Sequence, residues 1–208
     1  MKNLFNILIL SLLIYSCSSS KVNKKDITYF DENSIKISKK DFDKKKQTRK
    51  FLAITIDSTK LKLTTREKRD TLNNMNKFIE TLEADFNITL DKNKPIAIIF
   101  YPGEYNCNSD SSTRLDYLKT WYNQLEYGLE QVANIKPLYI YKNSKGLENY
   151  DEQLDWRQDP NQFIEKLFFK HHYPCSNSFV VISNKGDYIS YLGEFQKEFL
   201  WEAAKILK

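Results

Sequence analysis

The side chains able to carry chemistry at a site are few: the thiols of Cys107 and Cys175, the imidazoles of His171 and His172, and the carboxylate of Glu104. A cysteine attacks or ligates as its thiolate, so it must sit where the charged form is favoured. Two such thiols can exchange with a disulfide, pair as a staple, or join a histidine in a soft ligand set. Glu104 could shuttle a proton beside Cys107, although an exposed loop glutamate is the plainer reading. Adjacent histidines without a carboxylate or cysteine set do not make a metal site. Cys175, a few positions on, keeps His171 and His172 as weak metal candidates. The five glycines, at 103, 128, 146, 186 and 193, are too scattered for a phosphate-cradling loop or a dinucleotide fingerprint. Nor does a serine stand on a nucleophile elbow. No cofactor is expected.

The third cysteine reads as an anchor. Residues 1–16 carry Lys2, an apolar run from Leu4 to Ile14 and then small polar residues, the layout of a signal peptide and too short to cross a bilayer comfortably. Ile14-Tyr15-Ser16-Cys17 resembles the lipobox of bacterial lipoproteins, with Tyr15 bulkier than usual. That resemblance implies lipidation of Cys17, attachment to a membrane, and, with Ser18 rather than Asp next, the outer membrane, facing the periplasm. In that compartment the two remaining thiols are free to form a disulfide.

The net charge of +5 would suggest nucleic acid if it lay on a folded domain. It does not. From Lys21 to Lys50 there are 11 Lys and Arg against 5 Asp and Glu, and with Lys2 also set aside, 51–208 holds 20 basic and 22 acidic residues, a net of −2. We therefore read 17–50 as the lipidated cysteine and a basic, solvated tether whose Tyr29, Phe30 and Phe42 could pack onto the domain. The globular part begins at residue 51, and no nucleic-acid partner is expected.

Apolar spacing then places the elements. Phe51–Ile56 reads as a first buried strand, and Leu72, Met75, Ile79, Leu82 and Phe86 as one face of a helix over 66–86. Pro95–Tyr101 is apolar almost throughout, as a central strand covered on both faces must be. Leu115 to Val132 steps by three and four, a second long helix, and Pro137–Tyr141 follows as a strand. Asp159-Pro160 starts a helix whose buried face is Phe163, Ile164, Leu167 and Phe168, with Trp156 as a packed aromatic ahead of it. Ser178–Ile182 and Asp187–Leu192 flank the turn Asn184-Lys185-Gly186, and a last helix rests on Phe195, Phe199, Ala203 and Leu207. The predicted class is α/β: three parallel-type strands joined by crossovers, an antiparallel C-terminal hairpin, and flanking helices.

This order, together with Phe179–Ile189 and the Tyr191-Leu192-Gly193 ending, resembles the thioredoxin-like superfamily over about 51–208, most closely its redoxin branch of peroxiredoxins, membrane-tethered thioredoxins and SCO-like copper chaperones. The resemblance implies a three-layer fold and an activity carried by two loops: one after the second strand, where Cys107 falls, and one before the fourth, where Cys175 falls. Departures matter as much. Tyr105-Asn106-Cys107-Asn108-Ser109-Asp110 has no second cysteine for a local dithiol. Cys107 comes too early after Pro102 for a peroxidatic cysteine, no Thr or Ser fills the expected slot, and Ser176-Asn177 offer no Arg, which argues against a peroxidase. The SCO-like cysteine spacing is missing too, leaving copper binding by Cys107, Cys175 and a histidine as the weakest reading. Two readings stay open. One is a thiol–disulfide oxidoreductase using Cys107 and Cys175 on a periplasmic thiol or disulfide protein. The other is a redox-inactive binding or scaffold lipoprotein stapled by a Cys107–Cys175 disulfide.

Overall fold

A computed structural model describes residues 27–103, 115–147, 154–171 and 176–208. Its larger sheet is mixed and six-stranded. The centre is β6 (Ile96–Tyr101), every residue of it buried, parallel to β7 (Leu138–Tyr141) and antiparallel to β9 (Ser178–Ile182). β8 (Trp156–Gln158) extends the parallel side, while β10 (Asp187–Tyr191) and then β5 (Glu67–Thr71) extend the antiparallel side.

Alternation along β6 explains why both faces need cover. Ile96, Ile98 and Phe100 point to one face, where they meet Phe78, Ile79 and Leu82 of α2 (Met75–Phe86) and Ile164 and Phe168 of α4 (Phe163–Phe168). Ala97 and Ile99 point to the other, against Tyr122, Leu125 and Leu129 of α3 (Leu115–Ala133) and Leu200, Ala203 and Ala204 of α5 (Lys197–Ile206). The result is an α/β/α sandwich. α3 and α5 approach closely because Gly128 has no side chain: a Cβ there would lie 2.1 Å from the Trp201 ring, whose Nε1–H donates to the Leu125 carbonyl at 3.0 Å.

Several expectations change. Thr28–Gln47, read as tether, carries regular structure: β1 (Thr28–Phe30), β2 (Lys36–Ile37) and α1 (Lys39–Gln47), capped where Ser38 Oγ accepts from the Asp41 amide. Phe42 is the reason. It is 2% exposed, lies 5.0 Å from the Tyr29 ring, and packs α1 onto a second, four-stranded sheet in which β2 and β1 are followed by β4 (Lys60–Thr65) and, at the edge, β3 (Phe51–Asp57). β3 belongs to that small sheet, paired with β4, and is not the first strand of the central one; only Leu52 and Leu63 of the hairpin are buried. The helix expected from 66 begins at Met75, because Glu67–Thr71 pairs with β10. Trp156–Gln158 is a strand as well as a packing site. In α4, Leu167 is exposed and Phe169, one residue past the helix, is fully buried; in α5, Phe199 is 46% exposed and Leu200 takes the core position.

Among the described residues no helix is long and apolar enough to cross a membrane.

Candidate functional site

Cys17, Glu104, Cys107, His172 and Cys175 lie outside the described residues. The described residues form the frame on either side of the two cysteine segments. β6 runs to Tyr101, followed by Pro102 and Gly103; β9 starts at Ser178, preceded by Ser176 and Asn177. Because β6 and β9 pair antiparallel with Phe100 opposite Ser178, the end of one strand and the start of the other are neighbours. The described residues that flank the segments holding Cys107 and Cys175 therefore include two neighbouring strand ends.

Both departure points are held by side chains. Asn177, 8% exposed, donates its Nδ2–H to the Tyr122 hydroxyl on α3, tying the start of β9 to the helix that follows β6. Its Oδ1 is buried and makes no hydrogen bond among the described residues. A buried amide oxygen left that way costs about 1–3 kcal/mol. Ser178 Oγ accepts from the Gly193 amide at 2.9 Å, adding the β10–α5 turn to the same end. Gly103 has φ +120°, and a Cβ on it would sit 3.0 Å from Asn143 Cβ, so a side chain is excluded at the exit of β6 both by conformation and by space.

Around the carboxyl ends of the parallel strands β7 and β8 lies a polar cleft of about 490 Å³, the part of an open parallel sheet where ligands commonly bind. Lys142, Asn143, Gln158 and Lys166 line it, with Asp159 at its base. Asp159 is buried, and its two oxygens accept from the amides of Ile164 (3.0 Å) and Glu165 (2.9 Å), so it holds the first turn of α4 from outside the helix; the helix itself starts at Phe163 with Gln162 at its cap position, and Pro160 stands in a separate 3-10 turn rather than in the first turn expected from sequence. The route is longer than expected, with Asn161 and Gln162 in the left-handed region between Asp159 and the helix. Burial pushes the Asp159 carboxyl above its ordinary range, against those amide donors and with the Glu165 charge adding to the rise. Glu165 in turn accepts from Lys142 Nζ at 2.7 Å. On the opposite face Tyr139 donates to Glu126 Oε1 at 2.7 Å, and burial, reinforced by that carboxylate, raises the phenol's pKa.

His171 is exposed just beyond α4. Among the described residues no three His, Cys, Asp or Glu side chains converge as a metal site would require. Sequence reasoning passed over Asn177 and Tyr122 as site residues, since neither stands in a chemical motif; only the β6–β9 register brings them to this end of the sheet.

Compared with known proteins, the chain matches no family model, no curated protein and no solved structure.

Proposed function

We propose that the chain is a lipid-anchored protein of the cell envelope, held to the outer membrane through Cys17 and facing the periplasm, whose thioredoxin-like domain exchanges disulfides through Cys107 and Cys175. The observation that supports this reading most is the antiparallel pairing of Phe100 with Ser178. Cys107 follows Tyr101 by six positions and Cys175 precedes Ser178 by three, so both depart from adjacent points of the frame. The crossover from β6 through α3 to parallel β7, the β9–β10 hairpin and the closing α5 agree with the element order behind the thioredoxin-like resemblance.

The reaction needs no cofactor. The Cys107 thiolate attacks one sulfur of a partner's disulfide, forming a mixed disulfide and releasing the partner's other sulfur as a thiolate. The Cys175 thiolate then attacks Cys107 Sγ. The partner leaves with two thiols and the domain keeps a Cys107–Cys175 disulfide, so two electrons have passed to the partner.

The test is the reduction potential of the pair in the full chain, with Cys107→Ser as control. A potential near about −200 mV, and loss of disulfide reduction in the variant, support exchange. A potential below about −300 mV, or undiminished reduction by Cys107→Ser, overturns it in favour of a stapled scaffold. Cys17→Ser should release the protein from membranes; retention there would overturn the anchor.

A further inference from the structure

A wide cleft lies away from the cysteine segments' frame, where the small sheet meets the large one. It encloses about 1020 Å³, at the upper end of ordinary ligand pockets of roughly 300–1,000 Å³. One wall is the turn from α1 into β3, bringing Lys46, Arg49 and Lys50 together with the consecutive residues Phe51–Ala53. The other is the end of β10 and the start of α5, with Tyr191 and Phe199.

Three features of this cleft point the same way. The main chain of β3 is committed on one side only: it pairs with β4, and its outer edge carries no strand among the described residues. An uncommitted edge is a template for an added strand. The charge is unbalanced as well. Lys46, Arg49 and Lys50 make no ion pair among the described residues, whereas of the two carboxylates lining the cleft Glu67 is held by Arg69 at 2.7 Å, leaving Glu194. Finally, Phe199 presents a ring that is 46% exposed on the outer face of α5, beside the Tyr191 ring at 5.6 Å.

The rigid element is the turn. Arg49 has φ +59°, a left-handed conformation that costs a non-glycine residue energy, and it is fixed there by its own amide donating to the Lys46 carbonyl and by the Lys50 amide donating to Thr48 Oγ1. The strained position carries a guanidinium at the mouth of the cleft, a place where glycine would be the conformationally easy choice.

We propose that this cleft binds an extended acidic peptide segment of a partner protein, which adds as a strand to the outer edge of β3, sets carboxylates against Lys46, Arg49 and Lys50, and lays a bulky apolar side chain on Phe51 and Phe199. An alternating sequence does all of this at once, because successive side chains of a strand point to opposite faces. The proposal uses no thiol and stands apart from the disulfide reading: a Cys107→Ser, Cys175→Ser double variant should bind unchanged.

The test is fluorescence anisotropy with the full chain in non-ionic detergent and a fluorescein-labelled probe, Glu-Val-Glu-Phe-Glu-Val-Thr-Glu. Its companions are a version with lysine for each glutamate, a version with alternate amides N-methylated, and laurate as a competitor. Saturable binding of the acidic probe, about tenfold weaker for the N-methylated one, is the expected result, a main-chain bond to an otherwise unmet group being worth about that factor. Arg49→Gly removes the charge while relieving the backbone, so it folds at least as well and should still weaken the probe several-fold; Phe199→Ala should do likewise. Equal affinity for the lysine probe, equal affinity for the N-methylated probe, or an unchanged Arg49→Gly would each overturn the proposal. Displacement by laurate together with indifference to N-methylation would identify an amphiphile site instead.

Discussion

β5 bounds the six-stranded sheet and β3 bounds the four-stranded one, and they face solvent with opposite chemistry. β5 reads Glu-Lys-Arg-Asp-Thr, every residue exposed, with Lys68 paired to Asp70 at 2.9 Å and Arg69 to Glu67 at 2.7 Å. A strand arriving to extend that edge would have to strip four charges of water, which is how edges are commonly kept from pairing. Its grip on the sheet comes from one side: Lys68 Nζ donates to the Tyr188 hydroxyl, a bond that with Asp70 raises the lysine's pKa, and Thr71 Oγ1 donates to Asp187. β3 reads Phe-Leu-Ala-Ile-Thr-Ile before its first charge at Asp57. Its guard is a bulge between Thr55 and Asp57, which bends the strand near its tip and leaves the first four residues straight. One edge is defended along its length and the other is open where it enters the cleft.

The sheets behind those edges differ in the same sense, and core truncation should separate them. Phe100 is fully buried near the end of β6, the central strand, its ring 4.9 Å from that of Phe169. Phe100→Ala should cost about 3–5 kcal/mol, measured by denaturant unfolding, and lower protection from hydrogen exchange throughout the large sheet. Phe42→Ala removes an equally buried ring from a sheet covered by α1 on one face. The expected loss is about 3 kcal/mol, at the low end of the same range, with exchange accelerated over 28–65 and protection of β6 and β9 retained. Uniform loss across both sheets would show that they unfold as one unit and that the open edge of β3 is no looser than the rest.

How far each region could be read from sequence follows from the same physics. β6 was legible because a strand buried on both faces must be apolar at every position, and Ile96–Tyr101 is. α3 was legible through its stripe. β5 was not, because it contributes nothing to the core: Glu67–Thr71 is held by pairing to Asp187–Tyr191, a contact more than a hundred residues away that leaves no local period. The segment 28–47 was hidden by its lysines, which sit on the outer surface of α1, so that Phe42 with Tyr29 was outweighed in any count of charge. In the last helix the spacing was right for Phe195, Ala203 and Leu207, which all pack on the core, and wrong only for Phe199, whose place is taken by Leu200 with Ala204 beside it. Of the candidate site, the residue types in the two loops were legible and their common point of departure was not, because it depends on β9 pairing beside β6.

Exchanging the edge chemistries should move association far more than folding. Ile56 is 54% exposed on β3, and Ile56→Lys should change stability by no more than about 0.5 kcal/mol while suppressing concentration-dependent self-association followed by light scattering. Arg69→Val on β5 should be equally mild for folding and increase self-association. If Arg69→Val stayed as soluble as the parent, charge would not be what protects β5.

The smallest expected effect lies at the tip of the β3–β4 hairpin. Asp57 Oδ2 takes a hydrogen bond from Lys60 Nζ at 2.9 Å, while Oδ1 takes the amide and the hydroxyl of Thr59, each at 2.8 Å. The lysine first, and the threonine donors after it, hold the carboxyl down at about 2, below an ordinary value of 3.8. The sign follows from linkage: a carboxyl that is more acidic folded than unfolded contributes its support above the unfolded value, and that support fades as pH falls from 3.8 towards about 2. The group is fully exposed, so salt should shrink the effect, and it should register locally as faster exchange of the Thr59 amide between pH 4 and 2 with the large sheet untouched. Asp57→Asn keeps an acceptor for Thr59 but has nothing to titrate, so its tip should be insensitive to pH across that window. A parent tip that behaves the same way would mean that the bulge, and not the Asp57–Lys60 pair, ends the open edge of β3.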